Sequence, residues 1–114
     1  MNQKEFRAMV LIADNGVCQD PLCECHRPLN KMYWLTAHHI ISKSIDGAKR
    51  DDLSNGITLC QVAHERAEHG YGSPPDRVSA CEYVIGVIES HIDEPDFRWA
   101  EVLERLRLRR ERHG

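Results

Sequence analysis

Four residues in one short span could bind a divalent metal ion and supply a general base. They are the neighbouring pair His38 and His39, then Asn55, and then His64. Imidazole binds divalent metals and also titrates near neutral pH. Neighbouring side chains on an extended strand point to opposite faces, so one histidine of the pair can bind the metal while the other accepts a proton.

The pattern of apolar and turn-forming residues predicts the elements that would position these side chains. Residues 33–41 favour a strand because they are rich in aromatic and β-branched residues. Residues 42–55 include six charges and a glycine, as is typical of a long hairpin loop. Residues 56–60 then predict a second strand, and residues 61–69 predict a helix that ends at Gly70. The predicted order is strand, loop, strand, helix.

Helical patterns flank this core on both sides. A first helix is predicted from Gln3 to Asn15, ending before Gly16. Ser73, which prolines follow, is predicted to be the N-cap of a second helix. Pro95 ends that helix, and Asp96 can cap a final amphipathic helix. The apolar residues at helical spacing are Val78, Cys81, Ile85, Ile88 and Ile92 in the second helix, and Trp99, Val102, Leu103 and Leu106 in the last. The predicted fold class is α+β.

The ordered set of histidines and asparagine resembles the HNH endonuclease family. The ββα-metal motif of that family has a histidine or aspartate before a histidine, a hairpin loop ending in asparagine, a short strand, and a helix opening with histidine. Eight residues lie between Asn55 and His64, which is the spacing common in the family. The resemblance covers about a third of the chain. It implies that His38 and His64 are metal ligands, His39 is the general base, and Asn55 clamps the loop.

The same resemblance implies a metal-dependent endonuclease that nicks duplex DNA and leaves 5′-phosphate and 3′-hydroxyl ends. Imidazole is largely neutral at pH 7, so His39 can take a proton from water, while a metal on His38 and His64 stabilises charge on the scissile phosphate. Mg²⁺ or Mn²⁺ is the expected catalytic ion. Two imidazoles favour Mn²⁺, Ni²⁺ or Zn²⁺ over Mg²⁺ in binding strength.

Two further side chains of the helix that opens with His64 are candidate metal ligands. Family members that use a second helix histidine generally place it four residues after the first. His69 lies five residues after His64, and the position four residues after is occupied by Glu68. Glu68 could be an extra ligand through a water molecule, although the sequence favours a solvated surface role for it.

The chain contains five cysteines, which in a reducing compartment favour metal thiolates or buried thiols over disulfides. Many relatives in the family carry a zinc site built from one Cys-x-x-Cys before the first strand and another at the helix start. This sequence departs from that pattern, because Ala63 stands where the last cysteine would be. The predicted structural Zn²⁺ site therefore uses Cys18, Cys23, Cys25 and Cys60 and staples the first loop to the second strand, with His26 as an alternative fourth ligand. Unmetallated loop cysteines are the other interpretation, and Cys81 is predicted to be an inert core thiol.

The net charge of −3 argues against a general electrostatic attraction to nucleic acid. DNA must then meet a local basic patch. The predicted DNA-binding residues are Lys43, Lys49, Arg50 and Arg66, with the terminal arginines from Arg105 to Arg110 as an alternative path.

The length predicts a single domain over residues 1–114. The resemblance implies that this is an HNH nuclease domain, with the motif core at 33–70 and a helical extension at 73–112. The C-terminal helices could also pair two copies in a homodimer. No apolar run approaches a membrane span and the N-terminus lacks the order of a signal peptide, so the expected location is the cytoplasm. Two other classes stay open: a non-catalytic, zinc-stapled DNA-binding module, and a protein-interaction domain that uses the C-terminal helices.

Overall fold

The computed structural model describes residues 2–23, 34–41, 52–70, 74 and 76–113. Within these ranges the chain forms four helices and a two-stranded antiparallel sheet, which confirms the predicted α+β class. The elements are α1 Gln3–Ala13, β1 Leu35–His39, β2 Gly56–Cys60, α2 Gln61–His69, α3 Arg77–Glu89 and α4 Ala100–His113. None of the helices in the described ranges is long and apolar enough to cross a membrane.

The sheet is the centre of the fold, and β2 is buried along its whole length. Its register pairs His38 with Ile57 and His39 with Gly56. Because side chains alternate along a strand, Ile57 faces the core formed with α3 and α4, while Gly56 faces α1. The two histidines of β1 are therefore directed to opposite sides of the sheet, as the strand period predicts.

The first strand is shorter than predicted. It ends at His39 rather than at residue 41. Ile40 N–H still donates to the Asn55 carbonyl at 2.9 Å, but the N–H and C=O of Ile41 are both bound by the Asn55 side chain. A side-chain amide has replaced the backbone partner there, and this ends the ladder of β1.

The first helix ends at Ala13, two residues before the predicted end. Asn15 and Gly16 both adopt left-handed backbone conformations, with φ of 55° and 64°, and Gly16 N–H donates to the Leu11 carbonyl at 2.8 Å. This arrangement satisfies an unpaired carbonyl at the helix end. It turns the chain so that Asp14, in the C-cap position, faces β2.

An ion pair between the buried Asp14 and the partly buried Arg98 joins three parts of the chain. The Asp14 carboxylate accepts from Thr58 N–H at 2.8 Å and from both terminal nitrogens of Arg98 at 2.8 and 3.1 Å. Arg98 and the Trp99 indole each also donate to the Gly56 carbonyl at 2.9 Å. A bidentate Arg–carboxylate pair is a strong, directional contact. It holds α1 and the segment before α4 against β2, close to Gly56, the strand partner of His39.

The third helix begins later and ends earlier than the sequence predicted. Asp76 is its N-cap and accepts from Val78 N–H at 3.0 Å, so the prediction of Ser73 as the cap was wrong. The helix ends at Glu89, and Ile92, which was predicted on its apolar stripe, is 46% exposed. The neighbouring His91 bonds to Glu94 and to the Gln19 carbonyl.

The last helix starts at Ala100, four residues after the cap predicted at Asp96, so that boundary was also wrong. Its predicted apolar stripe is correct. The buried residues are Trp99, Val102, Leu103 and Leu106. They belong to one hydrophobic core with the inner faces of β2 and α3.

Candidate metal centres

Three potential metal donors meet between β1 and α2. The His38 Nδ1 atom lies 3.5 Å from Glu68 Oε1, and the His64 Nε2 atom lies 3.7 Å from the same oxygen. One ligand atom from each of the three residues lies within 4.8 Å of the others. The rings of His38 and His64 meet edge to face, with centroids 5.1 Å apart.

The local sequence explains why these donors converge. The chain passes from β2 into α2 without a loop, because Cys60 is both the last strand residue and the N-cap of the helix. His64 thus lies in the first turns of α2, and Glu68 follows it by one turn on the same face. His38 projects from the side of β1 that α2 covers.

The donor separations fit a metal better than they fit hydrogen bonds. Hydrogen bonds between nitrogen and oxygen are usually about 2.7–3.2 Å long, and both separations to Glu68 exceed that range. Ligands about 2.1 Å from a tetrahedral metal lie about 3.4 Å from one another. In addition, among the described residues the buried Nδ1 atom of His64 has no hydrogen-bond partner. An imidazole, a second imidazole and a carboxylate at these separations are a suitable donor set for a divalent ion.

His38 is already in the protonation state that metal binding requires. Its side chain is buried, and burial lowers its pKa to about 3, with smaller contributions from the neighbouring charges of His64 and His39. The ring is therefore neutral at pH 7. A neutral imidazole can give its lone pair to a metal without first losing a proton.

His39 lies on the opposite side of the sheet, against α1. Its ring stacks on the Phe6 ring with centroids 4.3 Å apart and an angle of 10° between the planes. The side chain is half-buried. It contributes no atom to the group formed by His38, His64 and Glu68, so the two neighbouring histidines have separate surroundings.

Asn55 connects the two strands just beyond this pair. Its Oδ1 accepts from Ile41 N–H at 2.8 Å, its Nδ2 donates to the Ile41 carbonyl at 3.0 Å, and its side chain is buried. The backbone following His39 is thereby fixed to the residue that precedes β2. The Asn55 side chain thus bridges the backbone of Ile41 to the start of β2.

A second group of donors consists of three buried cysteines. The Sγ atoms of Cys18, Cys23 and Cys60 all lie within 4.8 Å of one another, and those of Cys23 and Cys60 are 3.3 Å apart. Burial, together with the neighbouring thiols, raises the pKa of Cys18 to about 12. A thiol in this environment stays protonated unless a cation stabilises the thiolate, and zinc bound by cysteines does so. Cys25 and its alternative His26 lie outside the described residues.

The segment between Cys18 and Cys23 is fixed to α3 by a buried polar contact that the sequence did not predict. Asp20 accepts from the Tyr83 hydroxyl at 2.6 Å and from Leu22 N–H at 3.0 Å. Burial raises the pKa of Tyr83, and the hydrogen bond to Asp20 adds to the effect. A tyrosine on a helix 63 residues away in sequence gives no local signal of this pairing.

The model of the HNH endonuclease family matches residues 18–70 of this sequence. These residues belong to the HNH endonuclease family. No curated protein and no solved structure matches the chain. The matched segment contains both donor groups, together with β1, β2 and α2. The remaining helices, α1, α3 and α4, lie outside it.

HNH proteins are generally nucleases that use divalent metals and act on DNA, and the resemblance seen in the sequence is confirmed by the match. Glu68 lies in the same group of potential donors as His38 and His64. It occupies the position one turn after His64, which was the available signal, but the sequence favoured a solvated role. His69 is exposed and lies outside the donor group.

The predicted DNA-binding residues fall into two sets. Lys43, Lys49 and Arg50 lie outside the described residues. Arg66 is exposed on α2, and two residues of an α-helix turn by about 200°, so it projects from the side of α2 away from His64.

The terminal arginines of the chain are partly neutralised. Arg107 pairs with Glu89 at 2.8 Å and Arg110 pairs with Glu82 at 3.2 Å, both across the contact between α3 and α4. Such pairs lower the positive potential that α4 could offer to a polyanion.

Proposed function

We propose that this chain is a divalent-metal-dependent DNA endonuclease that hydrolyses phosphodiester bonds and nicks duplex DNA, leaving 5′-phosphate and 3′-hydroxyl ends. The observation that carries the proposal is the grouping of His38, His64 and Glu68 on one side of the hairpin. His39 is the residue after His38 in β1. Two imidazoles and a carboxylate suit a divalent ion, and the adjoining histidine supplies a base.

Each residue of the hairpin has a distinct task in this proposal. His39 accepts a proton from the attacking water as the general base. Asn55 fixes the backbone after His39 and so limits where its ring can lie. When bound by His38, His64 and Glu68, a divalent metal stabilises negative charge on the scissile phosphate and the leaving 3′ oxygen. We propose Mg²⁺ or Mn²⁺ for this site.

We further propose a structural Zn²⁺ on Cys18, Cys23 and Cys60, with Cys25 as the fourth ligand. Soft thiolates select zinc over magnesium or manganese, so the two donor groups favour different ions. Cys60 Sγ also accepts from Ala63 N–H at 3.4 Å at the start of α2. A zinc ion there would stabilise the helix that carries His64 and Glu68.

DNA is the proposed partner, and the basic residues decide where it lies. Because Arg107 and Arg110 are paired with glutamates, we favour a path over the loop carrying Lys43, Lys49 and Arg50. Arg66 would contact phosphates away from the scissile one. Each phosphate neutralised steepens the dependence of affinity on salt. One site cuts one strand, so cutting both would require a second copy, which we propose would pair through α3 and α4.

The proposal predicts that the purified protein nicks supercoiled plasmid in the presence of Mg²⁺ or Mn²⁺, and that nicking stops when EDTA removes that ion. EDTA is applied at a concentration at which zinc analysis shows the cysteine-bound metal retained, and Mg²⁺ or Mn²⁺ is then added back. Nicking should return, because the imidazole–carboxylate group binds its ion far more weakly than a thiolate site binds zinc. DNA binding without nicking at any metal concentration would instead identify a non-catalytic, zinc-stapled module.

The role assigned to Glu68 is tested by the metal affinity of a matched pair of variants. Glu68→Ala should weaken Mn²⁺ binding by about tenfold or more, since even residues that only orient ligands change affinity by about 10–100-fold. His69→Ala, at the next and exposed position, should leave affinity unchanged. Calorimetric titration of the zinc-loaded variants measures both. Equal Mn²⁺ affinity in Glu68→Ala and the parent protein would remove Glu68 from the ligand set.

A further inference from the structure

A residue of α1, which lies outside the segment that matches the family, contacts the proposed base His39. Phe6 in α1 stacks on His39 with a centroid separation of 4.3 Å and nearly parallel planes. Its side chain is 1% exposed, so the ring has one packed position. The matched segment begins at residue 18, and this contact is therefore an addition made by α1 to the HNH core.

The Phe6 ring can pack beside His39 because the residue paired with His39 in the sheet is a glycine. Gly56 is the strand partner of His39. A Cβ built at Gly56 would lie 2.3 Å from a methyl of Val10 and 2.9 Å from Cζ of Phe6, both too close. The missing side chain at Gly56 thus provides the space in which α1 packs its two buried residues beside His39.

The backbone contacts of the hairpin do not by themselves fix the His39 ring. Asn55 holds the backbone at Ile40 and Ile41, but the last side-chain torsion of histidine has broad minima. The nitrogen lone pairs lie in the plane of the imidazole, so the plane decides the directions along which the ring can accept a proton. A parallel aromatic ring against one face restricts that plane.

We propose that Phe6 is a positioning residue for His39, holding the imidazole plane in the orientation that accepts a proton from water. This inference rests on the proposed nuclease function. It assigns α1 a part in the reaction in addition to its part in the core. Phe6 does not itself contact the reacting atoms.

The kinetic test compares Phe6→Leu with Val10→Ala in the 114-residue chain. Leucine keeps an apolar side chain but has no ring to stack. Val10→Ala is the matched control, because Val10 is buried one turn further along α1 and packs against the same glycine. Single-turnover nicking at saturating protein should be about tenfold to a hundredfold slower in Phe6→Leu, as expected for a misplaced reacting group. The protein concentration at half-maximal rate should not change, and Val10→Ala should keep the parent rate.

A measurement on the metal-free protein separates this inference from the proposed function. In the parent protein, nuclear Overhauser contacts should join the ring protons of Phe6 and His39, and the His39 signals should be shifted upfield by the aromatic face. Phe6→Leu should lose that shift and Val10→Ala should retain it. If Phe6→Leu does not fold, Phe6→Met replaces it, since methionine is flexible and unbranched.

The outcomes are distinct. Absence of nicking in the parent protein overturns the nuclease function. Nicking in the parent protein with equal rates in Phe6→Leu and Val10→Ala overturns the positioning role. Absence of contacts between the two rings in the parent protein overturns it as well. Slow nicking confined to Phe6→Leu, together with loss of the upfield shift, supports it.

Discussion

Replacing His39 by alanine is expected to slow plasmid nicking by about a hundredfold to ten-thousandfold, which is the usual contribution of a general base. The fold and divalent-metal binding should be nearly unchanged. His39 provides no atom to the donor group of His38, His64 and Glu68, and its half-buried side chain lies on the other side of the sheet. Single-turnover nicking rates, circular dichroism and Mn²⁺ titration measure the three properties.

The neighbouring histidine supplies the matched control for this experiment. His38→Ala should lose nicking and weaken Mn²⁺ binding together, because His38 Nδ1 belongs to the donor group. His39→Ala should lose nicking alone. The two variants differ by one position along β1, so any general damage to the strand affects both. Parent-level nicking in His39→Ala would show that another group takes the proton.

The parts of the fold that the sequence predicted well are those fixed by local signals. The bounds of β2 and α2 are as predicted. The strand β2 is buried throughout, and α2 ends at a position whose backbone conformation glycine adopts more readily than other residues. Gly70 has φ of 77°, and a Cβ there would lie 2.7 Å from the Asp76 carbonyl. Its type and position could therefore be read as a helix end from the sequence alone.

The contacts that the sequence did not predict join residues far apart in the chain. Arg98 and Asp14 are separated by 84 residues, and Tyr83 and Asp20 by 63. Phe6 reads as a core residue of α1, and nothing in its local pattern indicates that its ring faces His39. The periodicity of one segment shows which face is apolar, but not which other segment that face meets.

Site residues show the same division. The order of His38, His39, Asn55 and His64 could be read directly, because residue type and spacing carry the signal. Glu68 could not be separated from a solvated glutamate until β1 was placed beside α2, which brings His38 within 3.5 Å of it. Spacing gave Glu68 the correct face of the helix. Only the tertiary contact brings that face into a group of potential metal donors.

The second large effect is expected at the cysteine cluster. The parent protein should hold about one tightly bound zinc per chain, and Cys60→Ser should lose it with a large drop in melting temperature. Binding of structural zinc contributes about 10 kcal/mol or more to the folding of small domains, and the Cys60 sulfur lies within the cluster, 3.3 Å from that of Cys23. Metal analysis and thermal denaturation followed by circular dichroism measure the two effects.

Serine at this position separates metal binding from helix capping. Cys60 Sγ accepts a hydrogen bond as the N-cap of α2, and serine is among the best N-cap residues. Cys60→Ser should therefore keep the cap while removing the thiolate, so a loss of stability reports on the metal. Cys81→Ser is the control, because Cys81 lies on α3 outside the cluster and bonds to the Leu106 carbonyl. Zinc retained at one per chain in Cys60→Ser would mean that a different set of ligands holds it, and an equal loss of stability in both variants would show that the effect does not come from the metal.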